Sequence, residues 1–157
     1  MTEVNIRICD YTNPDHTKGL ADLINAYIGD KMGGGEFLSV ADQIELTNGL
    51  KRHPASVVLL AEADRTVCGL LVAFENFSTF TIRPMINIHD LIVLPGYRRK
   101  GIGRQLLEAV IAIGRKRGCS RITLEVRKDN LSAQHLYQSL GFGEPLPAMH
   151  YWRKELE

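Results

Sequence analysis

Residues 88–107, IHDLIVLPGYRRKGIGRQLL, constrain the fold of this chain more than any other stretch. An apolar run ends at a Pro-Gly turn, a basic loop with two glycines follows, and apolar residues then recur at helical spacing. That order, strand then glycine loop then helix, presents backbone N–H groups to an anion. The first N–H groups of a helix have no intrahelical acceptor, and glycine lets the main chain approach a ligand closely. Four cations lie within Arg98-Arg99-Lys100-Gly101-Ile102-Gly103-Arg104. Geometry and charge together suit a polyphosphate; the plainer alternative is a solvated helix start.

Two common nucleotide loops are excluded by spacing. A Walker loop needs four residues between its glycines and then Lys-Ser/Thr, and a dinucleotide fingerprint needs a third glycine and a later acidic residue. The pattern here is Arg98-x-x-Gly101-x-Gly103, preceded by Val93-Leu94-Pro95 and followed by Arg104-x-Leu106-Leu107.

Charge narrows the ligand further. The net charge is +1, yet residues 95–121 hold eight cations and one anion, which leaves 11 cations and 17 anions elsewhere. So local a positive field suits one bound anion better than a duplex backbone, and no base-stacking aromatics are interleaved with it. Nucleic acid is therefore not an expected partner. No run of 18 apolar residues is present to span a membrane, and residues 1–5 lack the layout of a secretion signal. The expected setting is the cytoplasm. Cys9, Cys68 and Cys119 are too few and too far apart for a disulfide framework or a zinc site, so no metal is expected and the thiols read as small buried hydrophobes.

The rest of the chain reads as one domain, 1–157. Val4, Ile6 and Ile8 alternate with polar neighbours as in a half-buried strand. Asn13-Pro14 opens a helix whose apolar face is Leu20, Leu23, Ile24, Tyr27 and Ile28. Residues 29–37, with three successive glycines, form a loop that serves either as a linker or as a lid. Ser39-x-x-Asp42 resembles a capping box for a second helix, which His53-Pro54 ends. Residues 56–61 and 66–74 make a hairpin about Asp64-Arg65, which 75–80 continue, and Arg83-Pro84 breaks it before a strand over 85–94. A helix from Ile102 to Gly118 then leads to a strand over 121–126, a crossover that makes those two strands parallel. Asn130 caps a last helix closed by Gly141, and 149–156 read as a final strand.

The order β-α-α-β-β-β-α-β-α-β and two separated motifs resemble the GNAT superfamily of N-acetyltransferases. Arg98-x-x-Gly101-x-Gly103 is similar to its motif A, and Asn130-x-x-Ala133-x-x-Leu136-Tyr137-x-x-Leu140-Gly141-Phe142 to its motif B. The resemblance covers nearly the whole chain. It implies an α/β (α+β) GNAT fold, a mixed, mostly antiparallel sheet of six to seven strands with about four helices and a β-α-β crossover at the cofactor site. It further implies an acyltransferase that moves an acetyl group from acetyl-CoA to a primary amine by direct attack. The acceptor is a small or amino-acid-like molecule, with peptide or protein N-termini as the alternative. A non-catalytic CoA-binding sensor is a further reading, and a homodimer is an open option for assembly.

The resemblance also implies roles. Coenzyme A pyrophosphate lies on the loop from Arg98 through Arg99, Lys100, Gly101, Ile102 and Gly103 to Arg104, and the pantetheine arm along the backbone of Leu91, Ile92 and Val93. A main-chain N–H near Ile92 or Val93 then faces the acetyl carbonyl. Asn130 and Tyr137 reach the cofactor from motif B. A phenol, with an ordinary pKa of about 10, can protonate a departing thiolate, so Tyr137 is either that acid or a core tyrosine. His89 aligns with the family's usual glutamate base, and Asp90 is the second choice; His89 as a structural residue stays equally open. Acceptor-side candidates are Tyr27, Phe74, Glu75, Phe77, Arg83 and Asn87. Glu75 suits a cationic amine and Arg83 a carboxylate, unless both are solvated strand-end charges.

Overall fold

The structure, a computed structural model, describes residues 3–157 and divides into two compact units, Met1–Glu125 and Val126–Glu157. In the first, the elements are β1 (Val4–Ile8), α1 (Pro14–Ile28), α2 (Val40–Arg52), β2 (Ser56–Ala63), β3 (Thr66–Ser78), β4 (Arg83–Val93), α3 (Ile102–Lys116) and β5 (Ile122–Leu124). The strands form one sheet in chain order, antiparallel from β1 to β4 and parallel between β4 and β5. The sheet is mixed and mostly antiparallel as expected, with five strands among the described residues where six to seven were expected. The missing strand is that over 149–156, which has no regular secondary structure. No helix among the described residues is long and apolar enough to cross a membrane.

The helix boundaries follow local chemistry. Asn13 accepts the Asp15 N–H at 2.9 Å and Pro14 begins α1. Ser39 and Asp42 complete both halves of a capping box at the start of α2. Such a cap contributes about 1 kcal/mol. Past the end of α3, Gly118 lies at φ +72°, and the bonds Gly118 N–H to Arg115 and Cys119 N–H to Gly114 satisfy carbonyls of the last turn.

Each face of the sheet carries its own core. Leu20, Leu23 and Leu50 from α1 and α2 pack with Cys9, Val58, Leu60, Leu70, Val72 and Ile92. On the opposite face α3 buries Ile102, Leu106, Leu107 and Val110. Gly69 makes that close seating feasible, since a β-carbon there would stand 3.0 Å from Ala61 and Ile102 and 3.1 Å from Leu106. His16, 4% exposed, is fully satisfied: its Nδ1 accepts the Asp10 N–H and its Nε2 lies 2.9 Å from Glu62.

Three expectations change in detail. Ile8 is 70% exposed, because the chain turns at its end and Cys9, whose N–H donates to Val58, takes the buried position instead. Arg83-Pro84 does not precede β4 but begins it, with Pro84 opposite Phe77 near the sheet's end, where a strand tolerates proline. The strand after α3 shortens to three residues.

Candidate active site

From β4 the chain passes through a single 3₁₀ turn, Pro95–Tyr97, into the basic loop. Arg99 and Gly101 both take left-handed backbone, at φ +62° and +79°. For arginine that conformation is strained by roughly 1–2 kcal/mol, a cost the surroundings sustain at functional sites more often than elsewhere. Gly101 is the N-cap of α3 and supplies no capping side chain. The leading N–H groups of a fifteen-residue helix are thus left for an outside acceptor. Two of the loop's cations are held in place: Lys100 sits 5.2 Å from the Tyr97 ring centroid, and Arg98 donates through Nε to Val93 O at 2.9 Å and through Nη2 to Asp30 at 3.0 Å.

Just before the loop, β4 has an open edge. β5 pairs only with Ile86, Asn87 and Ile88, so 89–93 have no strand neighbour on that side among the described residues. Leu94 N–H donates to Cys68 O on β3. Alternation along an antiparallel ladder therefore turns the peptide groups of Ile92 toward β3 and those of Leu91 and Val93 outward. Arg98 engages the outward Val93 carbonyl. Of the two expected donors, the Val93 N–H therefore points outward and the Ile92 N–H toward β3.

A one-residue bulge lies in the same strand. Ile88 pairs with Ala73 and Asp90 with Val72, which leaves His89 as the extra residue. Cross-strand partners share a face, so Asp90 follows Val72, and Asn87 follows Phe74, to the side of α1 and α2. His89 reaches that side too, edge-on to Phe74 with ring centroids 4.8 Å apart. His53 also meets Phe74 in a T-shaped contact, again with centroids 4.8 Å apart. Tyr27 packs on the same core as Phe74. Burial pushes the Asp90 carboxyl above the ordinary carboxylate range, and the neighbouring His89 pulls it back.

The expected residues thus separate into two groups. Tyr27, Phe74, Asn87, His89 and Asp90 share the α1/α2 face, with Asn87 donating to Thr123 at 2.8 Å. Glu75 and Arg83 do not join them. Glu75 pairs with Ile86 toward α3 and accepts from Arg117 at 2.8 Å, while Arg83 donates to Gly118 O and Cys119 O just past the end of α3. Phe77, two residues beyond Glu75 in β3, is 62% exposed. These three belong to the end of α3 remote from the loop. His53 and Asp30 were not singled out as site residues: His53 reads as a helix stop and Asp30 as part of a glycine loop, and only long-range pairing brings either to the site.

In the second unit, α4 (Leu131–Ser139) carries motif B. The Asn130 side-chain oxygen is committed to the Ala133 N–H at 3.2 Å, as an N-cap. At the other end Gly141 lies at φ +87°, and the bonds from Phe142 N–H to Tyr137 O and Gly141 N–H to Gln138 O close the helix. The half-buried Tyr137 ring meets Phe142 at 6.0 Å. No group of three or more His, Cys, Asp or Glu residues among the described residues is disposed to hold a metal ion.

An uncapped helix start behind a basic glycine loop, joined to a strand with a bulge and an open edge, defines a β-α-β class of fold that presents main-chain donors to an anionic ligand. The chain belongs to the acetyltransferase (GNAT) family, whose model matches residues 20–142. An uncharacterized N-acetyltransferase of Bacillus subtilis (strain 168), YhfO, is 31% identical over 102 residues, covering 65% of this chain and 68% of that protein. Aminoglycoside N(6')-acetyltransferase type 1 of Salmonella typhimurium strain LT2 is 25% identical over 164 residues, 96% of this chain and 99% of the relative. Among solved structures, aminoglycoside N-acetyltransferase AAC(6')-Iy in complex with CoA superposes with a TM-score of 0.77 at 20% identity, over 99% of this chain and 97% of that one. This last likeness speaks to the fold.

Proposed function

We propose that the chain is an acetyl-CoA-dependent N-acetyltransferase, one domain over 1–157, that acetylates a primary amine of a small or amino-acid-like acceptor. The observation that carries this reading is the sequence of devices on and after β4: the bulge at His89, the outward peptide groups of Leu91 and Val93, and the uncapped start of α3. The family match running through both units supports the single domain. Full-length similarity to an aminoglycoside acetyltransferase supports the small-molecule acceptor.

The residues fit the cofactor. Left-handed Arg99 and Gly101 with the free helix N-terminus suit a diphosphate, and an open strand edge suits the amide groups of a pantetheine arm. Acetyl-CoA supplies an activated thioester. The chain's own contribution is to bind it, to orient the outward Val93 N–H toward charge developing on the acetyl oxygen, and to move two protons. His89 takes the proton lost by the attacking amine, directly or through water, while Asp90 beside it stabilises the resulting imidazolium. The Tyr137 hydroxyl donates the proton that the departing thiolate acquires. Tyr27, Phe74, His53 and Asn87 wall the acceptor side.

An acceptor screen that follows release of free CoA thiol tests the reading, with aminoglycosides, simple primary amines, amino-acid amides and peptides as candidates. Turnover of a small amine supports it. Turnover of peptides alone overturns the acceptor class, and binding of CoA without turnover of any amine overturns catalysis in favour of a sensor.

A further inference from the structure

We infer that Asp30 is a positioning residue that couples the acceptor-side loop to the cofactor loop through Arg98. The inference rests on the proposed function, because it needs residues 98–104 to bind CoA and Tyr27, on which residues 29–37 fold, to wall the acceptor side.

Asp30 is a node of the loop that follows α1. Its Oδ1 accepts the Met32 N–H at 3.1 Å, its carbonyl accepts the Gly33 N–H at 3.0 Å, and its Oδ2 accepts from Arg98 at 3.0 Å. These bonds hold its carboxyl below the ordinary value, the Met32 N–H being the largest cause and Arg98 the next. The loop is folded back tightly. A β-carbon on Gly33 would stand 2.0 Å from the Tyr27 carbonyl oxygen, and the Tyr27 hydroxyl donates to Met32 O at 3.3 Å. A displacement of Asp30 therefore reaches Tyr27, on the acceptor wall, through Met32 and Gly33.

The other partner belongs to the cofactor side. Arg98 is the leading residue of the motif A pattern, and its Nε holds the Val93 carbonyl on the open edge of β4. One guanidinium thus joins the strand edge, the phosphate loop and a loop 68 residues away in sequence. A partly exposed ion pair of this kind adds little stability of its own. What they fix is geometry: an anion that orders 98–104 orders Arg98, and Arg98 orders Asp30. Linkage makes the effect reciprocal, so an acceptor that orders 29–37 tightens CoA binding by the same factor.

Hydrogen exchange on the full chain with and without 1 mM CoA tests this without an identified acceptor. In the unaltered protein CoA slows exchange in both 98–104 and 29–37, the latter by about threefold or more. In Asp30→Asn the protection at 98–104 and the calorimetric affinity for CoA persist within about threefold, whereas protection at 29–37 is lost; Asp30→Glu restores part of it. Protection of 98–104 alone in the unaltered protein overturns the coupling and leaves the cofactor site standing, whatever the variants do. Protection at 29–37 that survives in Asp30→Asn also overturns it. No protection anywhere overturns both readings.

Discussion

The His89 ring stands edge-on to Phe74, 4.8 Å between centroids, because a bulge in β4 turns it to the face that Phe74 occupies. Without the extra residue, His89 would have no place beside Phe74 and the half-buried Asp90 together. The arrangement puts an imidazole and a carboxyl on adjoining residues. His89→Ala is expected to lower kcat about 100-fold and to remove the acidic limb of the pH–rate profile. An unmoved limb would assign the proton to Asp90 or to water.

Asp90 carries a signed consequence for stability. Its carboxyl is raised in the folded protein above the ordinary value of 3.8, so between those two values the folded state binds more protons than the unfolded one. Stability attributable to this group therefore falls as pH rises through that window and stays low above it. Asp90→Asn should raise Tm at pH 7, with the gain shrinking as pH falls through that window, while kcat drops by about tenfold. Thermal scans across pH, paired with turnover, check both halves.

Tyr137→Phe removes a hydroxyl and keeps the ring that meets Phe142. Turnover should fall about 100-fold while calorimetric affinity for CoA stays within about twofold. Equal losses in both would make Tyr137 a binding residue.

Two glycines should respond to alanine for different reasons. At Gly101 there is open space but a left-handed backbone, so the cost is conformational, about 1–2 kcal/mol, and CoA affinity falls with it. At Gly69 the added carbon meets three side chains at 3.0–3.1 Å, Ile102 among them, an overpacking cost of roughly 1–3 kcal/mol that keeps the left-handed turn at Gly101. Urea denaturation and CoA titration of both variants separate the effects.

The thiols should differ in reactivity. Cys9 and Cys68 are buried, and burial pushes the Cys9 thiol up to about 11, whereas Cys119 is partly exposed. Brief iodoacetamide treatment of the native protein at pH 7.5 should therefore label Cys119 first, with the other two reacting on unfolding, as peptide mass spectrometry would read.

Much of this was legible in the sequence because much of it is local. Asn13-Pro14, Ser39 with Asp42, Gly118 and Gly141 mark helix ends through atoms a few residues apart, and the 88–107 stretch announces its own strand, loop and helix. What the chain does at a distance was not legible. Residues 149–156 read as a strand, but a strand exists only with a partner, and no residue pattern supplies one. Glu75 and Arg83 look free for a substrate until α3 brings Arg117 and the carbonyls of Gly118 and Cys119 to them. The His89 bulge leaves no trace in composition, since it is a mismatch between two strands rather than a property of either.

That mismatch has an evolutionary side. Ile88 and Asp90 face successive residues of β3, Ala73 and Val72, so the parity of both cores is the same with His89 as without it. Deleting the residue would leave every apolar side chain on its present face and an unbroken ladder, whereas deleting either neighbour's equivalent elsewhere in β4 would turn the following half of the strand inside out. The position that carries the proposed base is thus surplus to folding. Its identity is free to drift with the chemistry while the hydrophobic architecture around it stays under separate selection.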